Sequence, residues 1–109
     1  MGTALDKDPA IIAVLDRLWS RLGPEAFVLV DHWESDLCAV GIASPRNAGV
    51  LVYISCYGEP PGCFGYELEL PPTPSDDFPY RVAGTGSGLS FEELAGIVAD
   101  HLRHAELNR

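Results

Sequence analysis

Positive charge is what this chain has least of: seven Lys and Arg stand against 16 Asp and Glu in 109 residues, for a formal net charge of -9. A phosphate backbone would meet long-range repulsion, so direct binding to nucleic acid is excluded in favour of a basic protein or a small ligand. Long apolar runs are absent too. None approaches the roughly 20 residues of a membrane helix, and Met1-Gly2-Thr3-Ala4-Leu5-Asp6 lacks the basic start of a secretion signal, so no membrane contact is expected and a cytoplasmic location is. Cysteine is sparse, and Cys38, Cys56 and Cys63 are an odd count at unrelated spacings. That pattern is neither a disulfide framework nor a paired-cysteine metal motif, and reduced thiols are expected. Cys38 and Cys56 fall in phase with the apolar residues of their strands, as small hydrophobes. Cys63 lies in a loop and is the thiol most open to reaction. Without a motif of stated mechanical role, no catalytic residue, metal or cofactor is assigned.

What is present is an ordinary globular composition, 47% hydrophobic and 21% charged, enough for one core and one domain over 1-109, with 1-7 and 105-109 expected to fray. Val50 to Tyr57 is the most strand-like run. Val50, Val52, Ile54 and Cys56 alternate with Leu51, Tyr53, Ser55 and Tyr57, which predicts a central strand with one buried and one amphipathic face. Asp8-Pro9 opens a helix whose apolar residues run from Ile11 to Leu22, and Gly23-Pro24 stops it. Phe27 to Trp33 and Leu37 to Ala43 read as strands around Glu34-Ser35-Asp36. The Ser44 to Gly49 stretch is turn chemistry, with asparagine supplying a left-handed conformation. Phe64 to Leu70 alternates a dry face with a wet, acidic one, and Pro71 to Asp77 is a surface excursion, because its three prolines fit neither a helix nor a central strand. Tyr80 to Thr85 is the last strand, Gly84 to Gly88 turns the chain, and Ser90-Phe91-Glu92-Glu93 is a capping box opening a helix to about residue 104.

The expected fold is therefore α+β: a five-stranded antiparallel meander with N- and C-terminal helices packed on one face, in the order α-β-β-β-β-β-α.

Some features invite chemistry. Gly84-Thr85-Gly86-Ser87-Gly88 before a helix suggests an anion loop, but it lacks the P-loop lysine and the dinucleotide spacing, and a strand-to-helix connector explains it. His101 and His104 lie three apart on one helix and could join His32 or a cysteine on zinc, against the plainer reading of His101 as a hydrogen-bonded residue at the core margin and His104 as a partner of Asp100. Cys63 with a histidine, or Ser55 or Ser87 with His32 and Asp31, would be minimal nucleophiles needing spatial proximity. The more telling constellation is the second sheet face, where Tyr53, Ser55 and Tyr57 would share a side with Glu67 and Glu69, with Arg81 near enough to pair with a carboxylate. It is either a solvated face or an interface for a basic protein, with rings for contact and carboxylates for steering.

From Gly49-Val50-Leu51-Val52-Tyr53 through Tyr66-Glu67-Leu68-Glu69-Leu70 to Leu89-Ser90-Phe91-Glu92-Glu93-Leu94, the layout resembles small acidic immunity proteins of bacterial polymorphic toxin systems. The resemblance implies a non-catalytic protein-binding module that neutralises a cognate toxin by occupying a basic surface or active-site cleft. The alternative is a small-molecule-binding domain or small enzyme with a pocket between the sheet and the Gly84–Gly88 loop. Two open sheet edges and the tyrosine face also offer routes to a homodimer.

Overall fold

A computed structural model describes residues 7–30, 36–75 and 77–107, with the backbone alone for 106 and 107. Helix α1 (Pro9–Leu22) is followed by strands β1 (Val28–Leu29), β2 (Ala39–Ser44), β3 (Asn47–Ser55), β4 (Phe64–Leu70) and β5 (Arg81–Leu89), then by α2 (Phe91–Leu102) and the short α3 (His104–Leu107). The strands pair in sequence order β1-β2-β3-β4-β5, each antiparallel to the next. This is the expected α+β meander. Ile11, Val14, Leu15 and Leu18 of α1 share one core with Leu94, Val98 and Leu102 of α2 and with Val40, Ile42, Val52 and Ile54 of the sheet. Both helices therefore lie on one face.

Local chemistry sets the helix ends. The Asp8 carboxylate accepts the Ala10 N–H at 2.9 Å, and Pro9 occupies the first turn, where its missing donor costs nothing. Gly23, at φ 111°, ends α1 while its N–H returns to the Trp19 carbonyl at 2.8 Å. In α2, Ser90 accepts the Glu93 N–H and Glu93 accepts the Ser90 N–H, the reciprocal box that the sequence announces. The helices are joined by a bidentate pair in which the Arg21 guanidinium donates to Glu92 at 2.7 and 2.6 Å. Arg17 lies over the Phe91 ring at 3.9 Å.

Five expectations need correction. First, of the described part of the expected strand, Phe27 to Val30, only Val28 and Leu29 form β1; Phe27 leaves the strand line to stack on Trp19, with centroids 4.6 Å apart, and is buried there. Asp31 to Trp33, with Glu34 and Ser35 of the expected hairpin, lie outside the described residues. Second, the β2–β3 turn is only Pro45-Arg46, and Asn47 already belongs to β3. Asn47 does not adopt positive φ, which among the described residues only glycines do; its side chain instead accepts the Gly49 N–H at 2.9 Å.

Third, Gly84 to Gly88 is part of β5, not a turn. The Tyr66 ring lies across Gly86, where an added Cβ would stand 2.5 Å from Cε1. Glycine is thus required for close approach on a paired strand. β5 also carries register shifts against β4 between Phe64 and Tyr66 and between Leu68 and Glu69. Fourth, Lys7, expected within the frayed N-terminus, is buried, with its ammonium donating to the Asp36 carbonyl at 2.8 Å. Fifth, the chain remains helical through α3, where Ala105 is buried.

The Tyr66–Gly86 contact gives a test. Gly86→Ala should cost about 1–3 kcal/mol by overpacking, but with Tyr66→Ala already present the same change should be neutral or stabilising by up to about 1 kcal/mol. Urea unfolding of the four proteins of this cycle measures both arms.

Candidate functional site

The face turned away from the helices is built by alternation. Cross-strand register aligns Gly41, Tyr53, Glu67 and Thr85 in one row and Ala43, Leu51, Glu69 and Val82 in the next, with Ala39, Ser55 and Gly65 in a third. Small residues on β2 leave the relief of this face to Tyr53 and the two glutamates. Tyr53, Ser55, Glu67 and Glu69 are thus brought together as the sequence suggests. Tyr57 lies just beyond β3, in a turn where its N–H is held by the Ser55 hydroxyl at 3.1 Å, and it is 81% exposed. Arg81 is placed differently. It pairs with Leu70, the neighbour of Glu69 that alternation directs to the other face, and its Nε donates to the Pro71 carbonyl at 3.1 Å.

The acidic face is not uniformly wet. Glu69 is only 8% exposed, in a row with buried Ala43 and Leu51. Burial, with the hydrogen bond and charge of Glu67 beside it, pushes the Glu69 carboxyl up to about 7. A second carboxylate this close in a half-dry setting favours the protonated form of Glu69. Tyr53 is half-buried, and its hydroxyl donates to Asp36 at 3.5 Å. Burial is the main reason its phenol is harder to ionise than usual. Tyr53 is therefore a fixed ring on the middle strand of the face, and Tyr57 the exposed one beyond the strand's end.

Behind Glu69 stands His101, 2% exposed, whose Nε2 lies 2.8 Å from the Glu69 carbonyl. A carbonyl only accepts, so the ring nitrogen donates. Burial lowers the His101 pKa, which keeps the ring neutral. This is the hydrogen-bonded core-margin histidine anticipated from the sequence. His104 donates from Nδ1 to the His101 carbonyl at 3.1 Å, while Asp100 pairs with Arg103 at 2.9 Å. His32 and Asp31, needed for the zinc and hydroxyl-nucleophile readings, lie outside the described residues.

The alternative pocket loses its loop, since Gly84 to Gly88 is edge strand. A cleft of about 630 Å³ does exist where α1 ends, but Leu22, Glu25, Arg46 and Arg103 are among its lining and neither Cys63 nor His101 is.

The sequence reading missed a patch beside the glutamates. Phe78 is 75% exposed and Val82 54%, with Tyr80 exposed between them. They flank an open cleft of about 510 Å³ with Asp77 and Arg81. Val82 is the cross-strand partner of Glu69, so the aromatic patch is continuous with the acidic row. The available signal was Phe78-Pro79-Tyr80, two rings around a proline in an otherwise polar excursion. Compared with known proteins, the chain matches no family, no curated protein and no solved structure.

The raised Glu69 pKa has a signed consequence. A carboxyl whose pKa is higher in the folded state stabilises the fold below its ordinary value, and that contribution is lost as pH rises from about 4.5 through about 7. Glu69→Gln should keep its stability across this window, gaining on the native protein by on the order of 1–3 kcal/mol. Paired urea titrations at several pH values measure the difference and cancel His101, whose lowered pKa acts in the opposite direction.

Proposed function

We propose that this chain is a non-catalytic protein-binding module of the immunity type, holding a basic surface or active-site cleft of a cognate toxin against its outer sheet face. The observation that carries this reading is the continuity of exposed Phe78, Tyr80 and Val82 with Glu69 and Glu67 on a chain of net charge -9. Aromatic side chains supply contact area with few rotatable bonds to order, and they dominate the energetics of many interfaces. The surrounding negative field selects a basic partner and speeds its encounter. Nucleic acid fits poorly for the same electrostatic reason. Tyr53, Ser55, Tyr57, Glu67 and Glu69 form the tyrosine and carboxylate part of the proposed surface, and the exposed rings of the proline-rich excursion extend it. Arg81, turned to Pro71, serves to hold that excursion in place.

The test uses a toxin-like protein encoded beside this chain, purified and titrated with it. Binding should weaken by about 2 kcal/mol for Tyr57→Ala or Phe78→Ala, with thermal unfolding nearly unchanged because both rings are exposed. Glu67→Lys should mainly slow association and flatten its salt dependence. A basic neighbour that binds equally well after all three changes would move the interface elsewhere. A locus with no such neighbour would remove the immunity reading.

A further inference from the structure

The sequence separates Cys38 from Cys56 by a whole hairpin, and the fold removes that separation. Ala39 pairs with Ser55 in the β2–β3 ladder, and one residue further the Cys56 N–H donates to the Cys38 carbonyl at 2.9 Å. The two thiols are therefore direct neighbours across the strands. A third group reaches them from α1, for the Asp8 N–H donates to the Leu37 carbonyl at 2.8 Å and lays the helix start against β2. One ligand atom from each of Asp8, Cys38 and Cys56 lies within 4.8 Å of the other two, and all three residues are half-buried.

We propose that Asp8, Cys38 and Cys56 form a binding site for a soft divalent cation of the zinc class, independent of the outer sheet face. Two sulfurs on one tetrahedral zinc, each about 2.3 Å from the metal, stand roughly 3.8 Å apart, within the spread seen here. Thiolates select zinc-like ions over magnesium or calcium, and a carboxylate oxygen is an accepted companion. Two thiolates and a carboxylate bring three negative charges to a divalent ion, enough to outweigh the positive end of α1. Three protein ligands leave the fourth position to water.

The surroundings are those of a prepared site. The three residues flank regular elements, Asp8 before α1, Cys38 before β2 and Cys56 after β3, and main-chain hydrogen bonds tie the backbone of each, so little ordering remains for binding. Asp8 is oriented by the Ala10 N–H at 2.9 Å, and the Cys38 N–H is held by the Asp36 carboxylate at 3.0 Å. Half-burial gives an ion a way in while limiting water. A disulfide would use two of these groups and leave the approach of Asp8 without a role. Short-range motifs could not reveal the site because its ligands come from a helix cap, the residue before one strand and the residue after another.

The experiment titrates fully reduced protein with Co²⁺ as a spectroscopic probe and then with Zn²⁺. One equivalent should bind with thiolate-to-cobalt charge-transfer absorption and be displaced by zinc, more tightly at higher pH because the thiols lose their protons. Cys38→Ser or Cys56→Ser should weaken binding by more than about 100-fold, beyond what outer partners command. Asp8→Asn, which retains the helix cap, should weaken it by roughly tenfold, and Cys63→Ser should leave it unchanged. X-ray absorption on the zinc-loaded native protein should count two sulfur ligands, which covers the case of a cysteine variant that fails to fold. No charge transfer in the reduced protein, binding indifferent to Cys38 and Cys56, or a Cys38–Cys56 disulfide surviving reductant would each overturn the proposal.

Discussion

One layer of helix, two helices wide, has to shield five strands. Two helices side by side span about 20 Å, and five strands at nearly 5 Å each span more. The shortfall falls on the edges, and the composition of the chain follows it. β2 and β3 hold the driest residues, Val40, Ile42, Val52 and Ile54. At one margin β1 shrinks to Val28 and Leu29; at the other β5 is built largely of glycine, threonine and serine, which lose little by being uncovered. The bidentate Arg21–Glu92 pair and the Arg17 contact with Phe91 hold the two helices together at the ends nearest each other. Exposed pairs of this kind contribute modestly to stability; their effect is to fix orientation.

Glu69 joins the two sides of the sheet. Its carbonyl is held by buried His101 from the helix layer, and its carboxyl lies on the opposite face beside Glu67. A charge on the outer face thus sits one residue's thickness from the packing of α2. The lowered pKa of His101 and the raised pKa of Glu69 both follow chiefly from burial, and a Glu69 that ionises less readily leaves the middle of the outer face less charged than its sequence suggests. Contact and charge are separated there, with the exposed rings at the rim and the half-dry carboxyls between them.

The elements with strong local chemistry were legible in the sequence. The Asp8-Pro9 start, the Gly23 stop, the Ser90–Glu93 box and the alternation of β3 and β4 each rest on residues that determine their own backbone, and the sequential pairing of five strands follows from short connections. The glycine run was misread because glycine supports both a turn and a closely packed strand, and the choice was made by Tyr66, about 20 residues away. Of the site, the grouping of Tyr53, Ser55, Glu67 and Glu69 was visible from period two alone. The turn of Arg81 to Pro71, the burial of Glu69 and the exposure of Phe78 were not, since each depends on register shifts or on how the proline-rich excursion lies. The approach of Cys38 to Cys56 needed the length of a whole hairpin.

The two register shifts in β5 bear on self-association. An open nine-residue edge with no proline or lysine would ordinarily be a template for further strands, because its outward N–H and C=O groups are free to pair. Between the shifts, however, only Gly84, Thr85 and Gly86 keep a continuous register with β4, and bulges bend and twist a strand locally. A fibril-forming segment needs about six or seven straight residues with strong β-propensity. This edge offers three, two of them glycine, and so protects the protein from cross-β stacking by its shape rather than by charge.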